Sequence, residues 1–290
     1  MVSVDILTRF ILALVMLGVG MSIEASNFKG VFQRPKSFLL GLFSQMVALP
    51  AFAILMVYLS PLSPEFKIGI IILSLFPGGN MSNYISYLTR ANTALAISLT
   101  TINGLLTVFT IPLVSNWASR TFRGQEEWFS LPFLSTAMEI FLLILLPAAI
   151  GVLIRYFRHE LVEKIENPVK WITYLLLVIM FCILFFGREA QGGLNLTFED
   201  IYKILPFTLA LNFFGMLFGY YFAKWNKLSK RNGITISIET GLQNTALALL
   251  VTGTLLNDSE MAKPALIYAA FSFWTTLGFA YFMKKRTGLK

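Results

Sequence analysis

The residues best suited to chemistry are a carboxylate and several amides that lie inside apolar stretches of the chain. Glu239 belongs to segment 237–244, which reads Ser-Ile-Glu-Thr-Gly-Leu-Gln-Asn, and no Lys or Arg stands at a comparable depth in another apolar stretch. An ionised carboxylate at the centre of a membrane helix costs roughly 2.5–3.5 kcal/mol, so it requires a partner. A bound cation is the simplest partner, because Glu239, Gln243, Asn244 and exposed carbonyls are hard oxygen donors suited to Na⁺. A protonated glutamic acid hydrogen-bonded to a neighbouring helix is the alternative.

A second polar segment, residues 76–83, interrupts another apolar stretch and reads Phe-Pro-Gly-Gly-Asn-Met-Ser-Asn. Pro77 removes a backbone donor, and Gly78 and Gly79 add flexibility, so the pattern predicts an unwound helix. Irregular backbone at membrane depth persists only where it is buried in protein or lines a wet cavity. Polar atoms for that cavity come from Asn80, Ser82 and Asn83. A proline kink held by neighbouring helices is the alternative.

The two interrupted segments correspond to each other. Each ends in a polar residue followed by Asn, at 82–83 and at 243–244, and each is followed by one uninterrupted apolar stretch. Gly241 marks the interruption in the second segment. Corresponding breaks in oppositely oriented halves indicate an inverted-repeat secondary transporter with its site near the membrane midplane.

The elements that position these residues are predicted to be membrane-spanning helices. Hydrophobic residues make up 56% of the 290 positions and charged residues 13%, whereas soluble domains carry about 25% charged residues. A span needs roughly 20 apolar residues, and about nine such stretches can be read. They are 5–23, 37–59, 66–89, 92–115, 130–154, 168–187, 202–223, 232–256 and 262–283. We therefore expect an all-α membrane fold with one domain over residues 1–290.

The distribution of basic residues predicts the orientation of these spans. Sixteen Lys and Arg residues fall in the loops of one side, and six fall on the other: Lys67, Arg120, Arg123, Arg188, Lys203 and Lys263. Cytoplasmic loops carry the excess. We expect a multi-pass protein of the cell (inner) membrane, with the N-terminus outside and the C-terminus in the cytoplasm.

Other residue types exclude several classes of protein. The net charge of +8 lies in loops and in no basic helix, so no nucleic-acid partner is expected. The single cysteine, Cys182, excludes disulfides and Cys-based metal sites. With one histidine, His159, which is predicted to lie in a charged loop, triad and zinc chemistry are close to excluded, and no enzyme activity is expected. Glu139 is interpreted as snorkelling to the outer interface or paired with another helix, rather than facing a cavity.

Three motifs resemble the bile acid:sodium symporter family, and the resemblance covers nearly the whole chain. The motifs are Pro77-Gly78-Gly79-x-x-Ser82-Asn83, Tyr87-Leu88-x-Arg90-x-Asn92 and Glu239-x-Gly241-x-Gln243-Asn244. The resemblance implies two discontinuous helices that cross in a core domain, which moves against a panel domain. The core would comprise about 37–115 and 202–283, and the panel about 5–23 and 130–187. Nine spans would match members that lack the first of ten.

The resemblance also implies a set of binding residues. The first sodium site would use Ser82, Asn83, Thr100 and Glu239. The second would use Gln45, Glu239 and Gln243 with the carbonyls of Thr240 and Leu242. Gln45 also fits independently, as a lone amide inside an apolar span. The substrate-binding residues would be Asn80, Asn244, Thr275 and Thr276.

Two departures from the family pattern affect these sites. Ala96 stands where the family often has a second hydroxyl one turn before Thr100, and Ser98 points about 200° away from Thr100. In the last span Trp274-Thr275-Thr276 replaces the Trp-His-Asn of some members. The first departure leaves the full ligation of the first sodium site open, and the second prevents transfer of substrate specificity.

The expected function is sodium-coupled symport of a small organic anion, either bile-acid-like or a small carboxylate, by alternating access. Sodium, as two ions, is the only metal expected, and the lipid bilayer is the surrounding partner. Coupling to protons through Glu239 remains an alternative, as does a membrane receptor that binds a ligand without transporting it. The oligomeric state is left open, with a monomer among the alternatives.

Overall fold

The computed structural model describes residues 4–21, 35–124, 138–139, 141–187 and 193–289, and these form helices and short connections. The helices are α1 (Val4–Met21), α2 (Pro35–Tyr58), α3 (Pro64–Leu75), α4 (Gly79–Leu88), α5 (Thr93–Arg123), α6 (Phe141–Phe157), α7 (His159–Phe186), α8 (Phe198–Trp225), α9 (Lys230–Gly241), α10 (245–255) and α11 (Ser259–Thr287). No strand occurs in the described part of the chain.

Helix α2 contains a π-helical turn at Ser44–Ala48, where the Leu49 amide donates to the Ser44 carbonyl. Pro50 follows directly and has no amide hydrogen to donate, so the regular pattern of backbone hydrogen bonds is interrupted here. Such turns occur often at functional sites in helices. This one carries the buried side chains of Ser44 and Gln45.

The first break, residues 76–78, separates α3 from α4, which meet at an angle of 53°. Phe76 is extended, with φ −85° and ψ 137°. Gly79 has φ +69°, a left-handed conformation that a side chain disfavours. The interruption therefore lies where the Pro-Gly-Gly sequence predicts it.

The second break, residues 242–244, separates α9 from α10. Leu242 is extended, with φ −109° and ψ 127°. The Asn244 side chain caps α10 by accepting from the Leu247 amide at 3.2 Å. Of the 18-residue apolar stretch around this break, within Lys230–Gly253, 83% is buried in the protein, against 33–39% for the other long apolar helices of the described ranges. The second break therefore lies inside the protein rather than against lipid.

Glycines allow α8 to approach α9 closely. A Cβ atom on Gly219 would lie 2.9 Å from the Ile236 carbonyl oxygen, and one on Gly215 would lie 3.0 Å from the Gly241 Cα atom. The Ser237 hydroxyl donates to the Met216 carbonyl at 2.8 Å. These contacts hold the helix that carries Glu239 against α8.

The described helices pack mainly in two groups. Helix α1 packs against α6 and α7, whereas α11 packs against α3, α8, α9 and α10. The largest apolar cluster is built mainly from α3, α10 and α11, and it includes Leu73, Phe76 and Tyr268. Cys182 is exposed on α7.

Arg123, at the end of α5, joins three helices through ion pairs. Its guanidinium contacts Glu65 of α3 at 3.3 Å and also Asp258, the N-cap residue of α11. Lys263 of α11 contacts Asp200 of α8 at 3.0 Å. These pairs lie at or near the ends of helices.

The predicted loop around His159 is helical instead. His159 is the first residue of α7, and its ring lies 3.2 Å from the Glu163 carboxylate one turn later. Acidic and basic residues at helical spacing stabilise a solvated helix, so charge alone does not indicate a loop. Glu139 faces Arg9 of α1 at 3.9 Å, which agrees with pairing to another helix.

The described helices include four that are long and apolar enough to cross a membrane, or seven if each bent pair forms one span. The fold is therefore all-α with several spans, and the count of nine remains a prediction. Most predicted boundaries lie within a few residues of the helix ends. Helix α5 extends to Arg123 instead of 115, and the predicted span 130–154 begins outside the described residues.

Candidate functional site

Glu239 lies in α9 with 1% of its surface exposed. Its Oε2 atom accepts a hydrogen bond from the Thr100 hydroxyl of α5 at 2.9 Å. Its Oε1 atom is buried and has no hydrogen-bond donor among the described residues. None of the ion pairs within the described ranges involves Glu239. The carboxyl group therefore lacks a protein counter-charge in this part of the chain.

The residues predicted for the first sodium site lie together. The Thr100 hydroxyl is 3.5 Å from the Asn83 Oδ1 atom of α4 as well as 2.9 Å from Glu239. Ser82 also faces the Glu239 carboxyl group, while its hydroxyl donates to the Gly79 carbonyl at 2.8 Å. Helices α4, α5 and α9 each contribute to this cluster.

The missing hydroxyl of the first site has no replacement at Ser98. Ala96 is fully buried, one turn before Thr100. The Ser98 hydroxyl donates to the Ala94 carbonyl at 2.8 Å. The side chain of Ser98 is thus engaged with its own helix.

The residues predicted for the second site form a chain of hydrogen bonds. The Gln45 Nε2 group donates to Gln243 Oε1 at 2.8 Å and to the Phe76 carbonyl at 3.0 Å. The Gln243 Nε2 group donates to the Thr240 carbonyl at 2.8 Å. Gln45 Oε1 is buried without a donor among the described residues. The π-helical turn of α2 thereby brings Gln45 to both breaks.

Whether a cation fits this site can be judged from two buried oxygens that accept no hydrogen bond from the described residues. Glu239 Oε1 and Gln45 Oε1 are both acceptors only, and each is expensive to bury unpaired. Carboxylate, amide and carbonyl oxygens are the ligands of hard cations. The residues therefore fit Na⁺ in the type of their donor atoms.

The two breaks touch each other because glycines leave room. A Cβ atom on Gly78 would lie 2.8 Å from the Leu242 carbonyl oxygen, and one on Gly79 would lie 2.9 Å from the Asn244 Nδ2 atom. The unwound segments therefore meet side by side, and Asn80 follows Gly79 at this contact, with its side chain exposed.

Thr275 and Thr276 belong to a different network, around Asn212 of α8. The Thr275 hydroxyl donates to Asn212 Oδ1 at 2.8 Å, and Asn212 Nδ2 lies 3.2 Å from the Thr276 hydroxyl. Asn212 Nδ2 also donates to the Gly241 carbonyl at 2.6 Å, and the Tyr268 hydroxyl donates to the same carbonyl. The four predicted substrate residues thus divide into a pair at the contact of the breaks and a pair at Asn212.

Asn212, Tyr268 and Asn103 were not predicted from the sequence. Asn212 is a lone amide inside an apolar span, so the reasoning that identified Gln45 also applies to it. Asn103 of α5 is fully buried, and neither of its amide atoms has a partner in the described ranges. Tyr268 gave no signal among many aromatic residues.

Two interrupted helices that touch inside an all-α membrane protein, with buried oxygens where they meet, are typical of a class of secondary transporters. The Sodium Bile acid symporter family model matches residues 9–192, which is more than half of the chain. The chain belongs to this family. It is therefore a member of a family of transporters and not an enzyme.

Three relatives illustrate the similarity. The uncharacterized sodium-dependent transporter YocS of Bacillus subtilis (strain 168) is 26% identical, over 92% of this chain and 78% of its own. The probable sodium/metabolite cotransporter BASS1, chloroplastic, of Arabidopsis thaliana is 26% identical, over 88% of this chain and 61% of its own. The hepatic sodium/bile acid cotransporter of Rattus norvegicus is 27% identical, over 88% of this chain and 68% of its own. The chain thus spans less than two thirds of the length of the Arabidopsis thaliana relative. The word sodium appears in all three names.

Proposed function

We propose that this chain is a sodium-coupled symporter of a small organic anion that works by alternating access. The observation that carries the proposal is the buried carboxyl group of Glu239, whose Oε1 atom has no donor among the described residues. The names of the relatives support sodium as the coupling ion.

The polar side chains of the site fall into two sets, which suits two sodium ions better than one. Ser82, Asn83 and Thr100 approach Glu239 from α4 and α5, whereas Gln45 and Gln243 lie on the side of the breaks. We propose that Glu239 serves both sets, so that its charge offsets part of the charge of each ion. The helix dipoles of the interrupted helices add to this, since helix C-termini favour cations and N-termini favour anions.

The anion is proposed to bind where the breaks meet, beside Asn80 and Asn244. Asn244 caps the N-terminus of α10, and the N-terminal end of a helix attracts negative charge. Thr275 and Thr276 of α11 would contact the anion from the α8 side. A bound cation neutralises Glu239, so the anion meets a less negative site after sodium has bound. This gives a physical reason for coupled binding.

Movement of two groups of helices against each other would alternate the access. We propose that α1, α6 and α7 form the panel and that the remaining described helices form the core, since α1 packs against α6 and α7. Nine spans, an external N-terminus and the inner membrane of a cell belong to the same proposal, with a monomer as the simplest transporting unit.

Uptake into proteoliposomes tests the coupling. Purified protein is reconstituted, and uptake of pyruvate, pantoate and cholate is compared under inward Na⁺ and inward K⁺ gradients at equal ionic strength. We expect at least one anion to accumulate only with Na⁺. Equal uptake in both gradients would contradict sodium coupling, and uptake that follows a pH gradient instead would support proton coupling through Glu239.

Glu239→Gln is the variant for this assay, and Glu139→Gln is its matched control. Both changes remove one carboxylate from a helix, but Glu139 is 44% exposed and faces Arg9. We expect Glu239→Gln to abolish sodium-driven uptake and Glu139→Gln to retain it. Anion binding that persists without any flux in the unaltered protein would favour a receptor.

A further inference from the structure

The carbonyl group of Gly241, at the end of α9, accepts two side-chain hydrogen bonds. Asn212 Nδ2 donates to it at 2.6 Å, and the Tyr268 hydroxyl donates to it as well. Both donor residues are fully buried. A carbonyl oxygen has two lone pairs, so these two donors occupy its acceptor capacity. The Gly241 carbonyl is therefore directed toward α8 and α11 and is not left for a cation.

The direction of this carbonyl constrains the carbonyl that follows it. Leu242 is extended, and an extended residue turns successive peptide carbonyls to opposite sides of the chain. The Leu242 carbonyl accordingly lies on the side of the first break, where a Cβ atom on Gly78 would be 2.8 Å from it. The Thr240 carbonyl accepts from Gln243, whose side chain also contacts Gln45.

We propose that Asn212 and Tyr268 are positioning residues for the second sodium site. By holding the Gly241 carbonyl on one side of the chain, they keep the Leu242 carbonyl, and with it the Thr240–Gln243 turn, facing the ion. Neither residue is proposed to touch the ion. The inference rests on the proposed function, because it concerns the affinity of that function's coupling ion.

The same amide of Asn212 connects the ion-binding turn to α11. Its Oδ1 atom accepts from Thr275, and its Nδ2 group lies 3.2 Å from the Thr276 hydroxyl. A rotation of Asn212 that improves one of these contacts changes the other, because the amide is planar. Asn212 is thus shared between the Gly241 carbonyl and the two threonines of α11.

Sodium-dependent thermal stability of the purified protein tests the inference. The melting temperature is measured in detergent as NaCl replaces KCl at constant ionic strength. A fit of its rise to mass-action binding gives the apparent dissociation constant for sodium, called here the sodium midpoint because half of the folded protein has bound the ion at that concentration. Tyr268→Phe removes one donor to Gly241 and the acceptor that lies 3.3 Å from Asn212 Nδ2. It keeps the ring beside Phe271, whose centroid is 5.4 Å away. We expect the sodium midpoint to rise by roughly three- to tenfold, the effect of losing one hydrogen bond. The melting temperature in KCl alone should fall modestly, because a buried hydroxyl is lost there too.

The matched control is Thr208→Val, which removes a buried hydroxyl one turn before Asn212 on α8. That hydroxyl donates to the Ile204 and Leu205 carbonyls of its own helix and not to Gly241. The control should leave the sodium midpoint unchanged. Asn212→Ser, which replaces the amide donor to Gly241 with a shorter hydroxyl side chain, serves as a second variant and should shift the midpoint in the same direction as Tyr268→Phe.

The outcomes separate this inference from the proposed function. If the unaltered protein gains no stability from sodium, the proposed function fails. If it gains stability and both variants keep its midpoint, positioning by Asn212 and Tyr268 is wrong. If neither variant folds while Thr208→Val does, the two residues serve the structure rather than the ion, and the inference is also overturned.

Discussion

Glu239 and the groups around it determine the chemistry of the site at the scale of single residues. The carboxyl group is buried, and one hydroxyl, that of Thr100, donates to it within hydrogen-bond geometry among the described residues. Burial of a charge without a partner destabilises a protein unless a counter-ion arrives. The stability of the protein should therefore respond to sodium more than to other salts.

The first prediction concerns the stability of Glu239→Gln. Glutamine keeps an acceptor for Thr100 and removes the buried charge, so we expect the variant to be more stable than the unaltered protein in KCl by about 1–3 kcal/mol. Sodium should stabilise the unaltered protein and leave the variant unchanged. Thermal unfolding in KCl and in NaCl measures both effects, and sodium stabilisation of the variant would refute the role of Glu239.

The second prediction concerns Asn103. Its two amide atoms are buried and unpartnered within the described part of the chain, and an unpaired buried polar group costs about 1–3 kcal/mol. Asn103→Leu should raise the melting temperature in KCl, because leucine has nearly the same shape and no polar atoms. A lower melting temperature would mean that the amide has a partner outside those residues, such as ordered water.

Single-residue signals in the sequence indicated the residues proposed to bind the ions, but not the residues proposed to orient them. Glu239 and Gln45 were identified because each is polar where its neighbours are apolar. Asn212 carries the same signal, and only the structure shows that its partner is the carbonyl of Gly241. Backbone acceptors are common to all residues, so no sequence pattern indicates which carbonyl a side chain holds.

At the scale of elements, the contact between the two breaks is the feature that builds the site. Gly78 has helical backbone angles, φ −62° and ψ −18°, which any residue can adopt. Glycine is needed at this position because a side chain would collide with neighbouring atoms. A Cβ atom there would lie 2.6 Å from the Ser82 Cβ atom and 2.8 Å from the Leu242 oxygen. The first break can approach the second only because this side chain is absent.

Gly78→Ala provides the third prediction. The added methyl group should separate the two breaks, destabilise the protein by roughly 1–3 kcal/mol and weaken sodium binding. Gly104→Ala is the matched control, since a Cβ atom there meets no described atom within 4 Å and α5 gains a better helix former. Size-exclusion chromatography after heating compares the two. Equal survival of both variants would show that the breaks do not need this close contact.

Sequence reasoning located both breaks but missed two other elements. Proline and glycines interrupt a helix for local reasons, so Pro77-Gly78-Gly79 was sufficient. The π-helical turn at Ser44–Ala48 was missed, although Pro50 beside it removes a backbone donor. The helical segment from His159 was missed because its charges resembled those of a loop. Pairing of His159 with Glu163 depends on spacing, which a count of charges ignores.

At the scale of the whole molecule, the basic residues are distributed unequally between the two predicted sides of the membrane. Basic residues divide the loops sixteen against six, which predicts which side faces the cytoplasm. The ion pairs of Arg123 with Glu65 and Asp258 lie on the side with fewer basic residues. On this side basic groups pair with acidic groups. These pairs join helices and offset part of the positive charge.

The fourth prediction concerns orientation. The C-terminus, which follows Lys284, Lys285 and Arg286, should lie in the cytoplasm. A fusion of green fluorescent protein to the C-terminus, expressed in bacteria, should fluoresce, and a fusion of alkaline phosphatase at the same position should be inactive. The opposite pair of results would invert the orientation, and with it the side from which substrate enters.

The solitary thiol of Cys182 has a practical consequence. It is exposed on α7, in the group formed by α1, α6 and α7, and no other cysteine exists in the sequence. A spectroscopic label therefore attaches to this group without any prior substitution. One added cysteine, for example at the exposed Trp225 of α8, then gives a single pair of labels whose separation in NaCl and in KCl reports directly on rearrangement in the membrane.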